Sequence, residues 1–138
     1  MIRLCVALMA VAAPASAQPG PLTFEFGKAL QLAAGQWSYV ATATGGEARF
    51  GNHLSLLCDK PSRTVTISRP GAPVAALTVV TDMQSRTLPP NGRLSAHDPL
   101  LDAMAFSRGR FMVSGGTGAV LAVPSWPEAA RAIEDCRN

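Results

Sequence analysis

His53–Ser68 reads HLSLLCDKPSRTVTIS, and this stretch decides the fold. Its first part, His53 to Cys58, is a short apolar run. Asp59-Lys60-Pro61-Ser62 is a turn by composition, since Pro presets a turn dihedral and Asp and Ser bond their own backbone. Thr64 to Ser68 then alternates, with Val65 and Ile67 on one face. Period two with β-branched residues on both sides of a tight turn predicts two adjacent strands.

The same period extends in both directions. Leu22, Phe24 and Phe26 alternate with polar partners until Gly27, which predicts a strand. Trp37, Tyr39, Ala41 and Ala43 share a face of the next, ended by Gly45-Gly46, and Ala48 to Phe50 begins a return. On the other side, Arg69-Pro70-Gly71 turns into Val74–Thr81 (VAALTVVT), the most β-rich segment. A weaker pair, Arg86–Leu88 and Arg93–Ala96, flanks Pro89-Pro90-Asn91-Gly92. Arg110–Ser114 and Ala119–Val123 close the series across Gly115-Gly116-Thr117-Gly118. The expectation is a mainly β, sandwich-like domain of about eight short antiparallel strands, with no repeat or linker dividing it.

Two helices interrupt the strands. Asp98-Pro99 supplies a capping carboxylate and a proline at the first helical position, so a helix is predicted from Pro99 to about Ser107, burying Leu100, Leu101, Met104 and Ala105, with Gly109 just past its end. Ser125-Trp126-Pro127-Glu128 has the spacing of a capping box. Behind it, Trp126, Ala129, Ala130, Ile133 and Cys136 fall on one face of a terminal helix. That face either closes the sheet or presents Trp126 to a partner.

The N-terminus sets the compartment. Arg3 precedes an apolar run, Leu4–Ala13 (LCVALMAVAA), Pro14 breaks it, and Ala15-Ser16-Ala17 is a small-x-small cleavage site. The run is too short to span a membrane. Residues 1–17 are therefore expected to be a signal peptide cut before Gln18, leaving 18–138 as a single β-rich domain in the periplasm or outside the cell. No later apolar stretch approaches a membrane span. Of the three cysteines, Cys5 leaves with the signal, and Cys58 and Cys136 remain as an even pair in an oxidising compartment. A disulfide between Cys58 and Cys136, pinning the terminal helix to a strand, is expected, with two unpaired buried thiols as the alternative. Two cysteines alone give too few ligands for a metal.

The chain carries 12 basic and 9 acidic residues, and removing Arg3 leaves 11 against 9, a net charge of +2. So small an excess gives no argument for nucleic acid. With Leu54–Cys58 as LSLLC, a helix at Asp98–Phe106 followed by Phe111-Met112-Val113, and Gly118–Cys136 ending in cysteine, the last 85 or so residues resemble the small exported proteobacterial proteins of the invasion-associated locus B kind and their type VI secretion-associated relatives. The resemblance implies a β-sandwich-like domain with two such cysteines and transfers no catalytic residues. Leu57, and the run Ser125–Arg137, depart from that pattern.

The polar residues offer few candidates. His97, Asp98 and Asp102 lie within one helical turn and suggest a metal or acid–base site, against a plain capping role for both carboxylates. His53 opens an apolar strand, and if the fold joined it to His97 and Asp98 the three would form a metal site or a small hydrolase centre. Arg108 and Arg110, with Arg86 and Arg93, offer an anion patch, against the plainer reading of a solvated helix end, where cations are favoured anyway. Ser114–Thr117 has the start of a lysozyme-inhibitor loop but lacks its tyrosine. Trp37 and Tyr39 are read as core aromatics rather than a sugar or peptide platform. No nucleotide, zincin or serine-hydrolase motif is present. No catalytic, cofactor-binding or metal residue is assigned, and no cofactor is implied. The expected function is non-enzymatic: a binding or accessory protein of the bacterial envelope, acting on an unidentified envelope protein or small ligand. A small periplasmic hydrolase or metal enzyme, and an inhibitor of a cell-wall hydrolase, stand as alternatives.

Overall fold

The computed structural model describes residues 22–72, 76–116 and 119–138. The expected signal segment lies outside these, as do Val74 and Ala75 of the β-rich run and Thr117-Gly118 of the last turn. Nine strands and three helices follow in the described residues: α1 (Phe24–Lys28), β1 (Trp37–Thr42), β2 (Gly45–Phe50), β3 (Leu54–Asp59), β4 (Thr64–Ser68), β5 (Thr78–Val80), β6 (Ser85–Thr87), β7 (Arg93–Ser95), α2 (Pro99–Ala105), β8 (Arg110–Ser114), β9 (Leu121–Pro124) and α3 (Pro127–Asp135). They form two antiparallel sheets, β1-β2-β3-β4-β7 and β6-β5-β8-β9. The mainly β architecture expected from the period-two pattern is the one observed.

The opening stretch forms the β3–β4 hairpin, with Leu56 opposite Ile67 and Cys58 opposite Val65. Alternation sends Leu54, Leu56, Cys58, Val65 and Ile67 into the core, where each is at most 1% exposed. From the second sheet Val79, Phe111, Val113 and Val123 meet them. Trp37 is buried between Phe50 and Phe111 and donates its indole N–H to the Pro124 carbonyl at 2.7 Å. That bond links the edge of one sheet to the last strand of the other.

Cys136, at the end of α3, stands against Cys58 of β3, with Cα atoms 5.6 Å apart and both residues fully buried. This is bridging distance. Ala129, Ala132 and Ile133 complete the buried stripe of α3. Arg137 fixes the end of the chain: it donates to the Ala96 carbonyl at 2.7 Å and to Asp102 of α2 at 2.8 Å. The Asp102 hydrogen bond holds its guanidinium still more firmly protonated than usual, against the effect of burial.

Several local expectations are corrected. Leu22–Phe26 is not a strand: Thr23 Oγ1 accepts from Phe26 N at 3.1 Å and caps a one-turn helix. The alternation there is too short to distinguish a strand from a turn of helix. Leu22, Phe24 and Leu30 cover the outer face of the second sheet over Val80, Met112 and Ala122. Gly45-Gly46 opens β2 instead of ending β1, because the turn is Ala43-Thr44. β6 and β7 are not partners of each other: they flank a crossover between sheets, and Gly92 at φ +68° lies against the Ile67 carbonyl where a Cβ would clash. The VAALTVVT strand is confined to Thr78–Val80 among the described residues, α2 stops at Ala105, and β9 begins at Leu121.

The capping box of α3 does not form. Pro127 occupies the first helical position, so Trp126 is the cap residue, and it makes no side-chain cap bond. Ser125 Oγ and Glu128 Oε2 are buried without a hydrogen-bond partner. Trp126 has extended dihedrals and is 45% exposed, because it precedes the helix and escapes its i, i+3 register. Ala132 takes the place in the buried stripe that Trp126 and Ala130 were expected to share.

Candidate functional site

The most distinctive surface feature is held in place by buried polar groups. The β5–β6 turn is organised around Thr81, itself 3% exposed. Thr81 Oγ1 accepts from Met83 N at 3.2 Å and Gln84 N at 3.0 Å and donates to the Gln84 carbonyl at 2.8 Å. Ser107, 4% exposed, accepts from Asp82 N at 3.1 Å and donates to the Arg110 carbonyl at 2.6 Å. One hydroxyl thus fastens the turn to the segment between α2 and β8. At the end of α2, Phe106 N donates to the Asp102 carbonyl at 2.9 Å.

These anchors leave two large apolar side chains outside. Met83 and Phe106 are each 79% exposed. They lie on a cleft of about 360 Å³ between the turn and α2, whose walls include Asp82, Pro99, Asp102 and Ala103. Isolated exposed apolar residues need no explanation, but two of them on one cleft, on a backbone fixed by buried hydroxyls, form a preorganised apolar surface. Carboxylates stand on both walls. Asp102 is held by Arg137, and Asp82 has the highly exposed Arg108 at 3.7 Å. Asp82 Oδ1 is buried without a hydrogen-bond partner.

The residues singled out from the sequence are dispersed. His53 and His97 are both exposed, His53 just before β3 and His97 just after β7. Pairing of Ser55 with Ser68, and of Ser95 with Thr64, puts them beyond opposite ends of β4, separated by about 13 Å of strand or more. The register therefore does not assemble His53, His97 and Asp98. Among the described residues no three His, Cys, Asp or Glu side chains gather as a metal site. Asp98 caps α2, accepting from Leu100 N at 2.9 Å, and pairs with Arg86 at 2.5 Å. His53 borders a shallow polar hollow of about 180 Å³ beside Arg69, which is itself bonded to the Gly115 and Ala119 carbonyls.

The four arginines likewise do not converge. Arg86 pairs with Asp98, and Arg93 reaches Ser62 and Thr64. Arg108 faces Asp82, and Arg110 donates to the Gly27 and Leu30 carbonyls at 3.3 and 2.6 Å, clamping the N-terminal segment onto the second sheet. Trp37 is a core residue. Tyr39 is half-buried, hydrogen-bonded to Asp135 and covered by the Arg131 guanidinium 3.9 Å above its ring. That bond to Asp135, then burial, raise its pKa above the usual 10.0.

Sequence reasoning did not find Thr81, Met83, Phe106 or Ser107. Phe106 gave one signal: it lies two residues past Met104, off the Leu100, Leu101, Met104 stripe. Comparison with protein-family models, with curated proteins and with solved structures finds no match.

Proposed function

We propose that the protein is a non-enzymatic, exported binding or accessory module of the bacterial cell envelope, which docks another envelope component through the Met83–Phe106 cleft. The observation that carries the reading is the pair of apolar side chains held 79% exposed on one cleft by the buried hydroxyls of Thr81 and Ser107. Burying such a pair against a partner removes apolar area from water without first ordering the backbone beneath it. The export half rests on the N-terminal pattern ending at Ala17 and on two cysteines at bridging distance. A kinship with the invasion-associated locus B proteins belongs to the same proposal, supported by the β architecture and the strand-to-terminal-helix cysteine pair.

The test is a Met83→Ser/Phe106→Ser double variant. Both side chains are on the surface, so the melting temperature should stay within about 2 °C. Photo-cross-linking in envelope extracts should yield a discrete adduct with the unaltered protein and none with the variant. An adduct of equal intensity from both proteins rejects the cleft as the docking site.

A further inference from the structure

A second surface, separate from the cleft, is the polar hollow of about 180 Å³ at one end of the five-stranded sheet. Two turns wall it. Asn52 and His53 come from the turn between β2 and β3, and Arg69, Pro70, Gly71 and Ala72 from the turn that follows β4. Each turn is closed by a backbone hydrogen bond, His53 N to the Phe50 carbonyl at 3.0 Å and Ala72 N to the Arg69 carbonyl at 3.1 Å. The β3–β4 register, with Ser55 opposite Ser68, brings the two turns side by side.

Arg69 is fixed in place but not neutralised. Its Nη1 donates to the Gly115 carbonyl at 2.8 Å and its Nη2 to the Ala119 carbonyl at 3.1 Å, which holds the guanidinium between the end of β8 and the approach to β9. Those bonds use two of the five N–H donors of a guanidinium and cancel none of its charge. No carboxylate cancels it either. All nine acidic residues of the chain lie among the described residues, none lines the hollow, and none of their ion pairs reaches Arg69. On the facing wall the His53 imidazole leans on the buried Phe50 ring, with centroids 6.4 Å apart, and the Asn52 carboxamide is exposed beside it. An imidazole in either protonation state, and a carboxamide, each offer an N–H donor.

We infer that this hollow is a binding site for a phosphate group, with Arg69 as its cationic anchor and His53 and Asn52 as donors from the opposite wall. The sign of the ligand follows from an uncompensated guanidinium in a hollow that holds no carboxylate. Its shape follows from the two walls. A planar carboxylate is saturated by one guanidinium fork, whereas a phosphate has three outer oxygens to share between donors on both sides. The arginine is already ordered by two carbonyls and the imidazole by Phe50, so little side-chain freedom is lost when the anion enters. The hollow is shallow, and a dissociation constant for inorganic phosphate of about 1–10 mM is expected.

Nuclear magnetic resonance titration of the disulfide-bonded protein with inorganic phosphate, to about 50 mM at constant pH and ionic strength, tests this. The expected result is a saturable shift of the Arg69 Nε–H and His53 ring signals, with acetate binding at least about tenfold more weakly. Arg69→Gln removes the charge, and Asn52→Asp places a like charge against the anion. Each should weaken phosphate binding at least about tenfold, while Arg93→Gln, outside the hollow, should leave it unchanged. Asn52→Asp alters an exposed side chain only and decides if Arg69→Gln does not fold. Co-sedimentation with phosphatidylglycerol vesicles, lost in both variants, places the phosphate on a lipid headgroup; binding of free phosphate without co-sedimentation places it on a soluble ligand. Shifts that never saturate, equal binding of acetate, or saturable binding that folded Arg69→Gln and Asn52→Asp leave intact overturns the inference.

Discussion

Replacing both bridging cysteines, Cys58→Ala with Cys136→Ala, is the perturbation whose size the structure fixes best. The two residues are 78 apart in sequence, and closing a loop of that length removes about 15 cal/mol/K from the unfolded chain, or about 4.5 kcal/mol at 25 °C. A domain of about 120 residues unfolds with an entropy near 250 cal/mol/K, so the melting temperature should fall by about 18 °C. Both sulfurs are fully buried, and their loss adds a smaller packing cost of the same sign. Calorimetry of the oxidised protein, the reduced protein and the double variant separates the two contributions. Reduction should reproduce most of the fall. Hydrogen exchange should show α3 opening first, because Ala129, Ala132 and Ile133 and the half-buried contacts of Arg131 and Asp135 with Tyr39 are then what holds it to the sheets. A fall of less than about 5 °C in both the reduced protein and the variant would refute the claim that the bridge pins the terminal helix.

Trp126→Ala should cost less than about 1 kcal/mol, since Trp126 lies outside the helix and is 45% exposed, whereas Ile133→Ala should cost about 2–5 kcal/mol; urea denaturation measures both. Ser125→Ala should be neutral or slightly stabilising in the same assay, because the hydroxyl it removes is buried without a partner. The raised pKa of Tyr39 means that the folded state binds its phenolic proton more tightly than the unfolded chain does. Its stabilisation is complete below pH 10.0 and lost as pH rises through the higher folded value. The urea midpoint should therefore drop above pH 10, and Tyr39→Phe should remove that part of the drop. Gly46→Ala should cost about 1–3 kcal/mol by thermal denaturation, as its methyl would drive into the Tyr39 ring and displace it from Asp135.

Where several local signals agreed, the sequence was readable. The β3–β4 hairpin combined alternation, β-branched residues and a proline turn, and α2 combined a cap, a proline and a 3.6-residue stripe. The Cys58–Cys136 approach followed from a strand end and a helix end that each buried one cysteine. Where one signal stood alone, packing overrode it. Leu22, Phe24 and Phe26 alternate, yet Thr23 caps the segment into a helix and Arg110 clamps it. Ser125 and Glu128 have capping-box spacing, but Pro127 shifts the helix start by one residue. The cleft was illegible for a different reason. It joins the β5–β6 turn to the end of α2 through Ser107, more than twenty residues away in the chain, and in the sequence Met83 and Phe106 are single apolar residues with nothing to set them apart from core positions. The two histidines failed as a pair because strand register, which depends on the whole sheet, set them at opposite ends of β4.

Docking within the envelope presupposes export and bridging, and intact-mass analysis with non-reducing peptide mapping of protein recovered from the envelope fraction tests both at once. The expected species begins at Gln18 and yields one peptide pair linked through Cys58 and Cys136. A cytosolic protein that retains Met1 and carries free thiols at both cysteines would contradict the account.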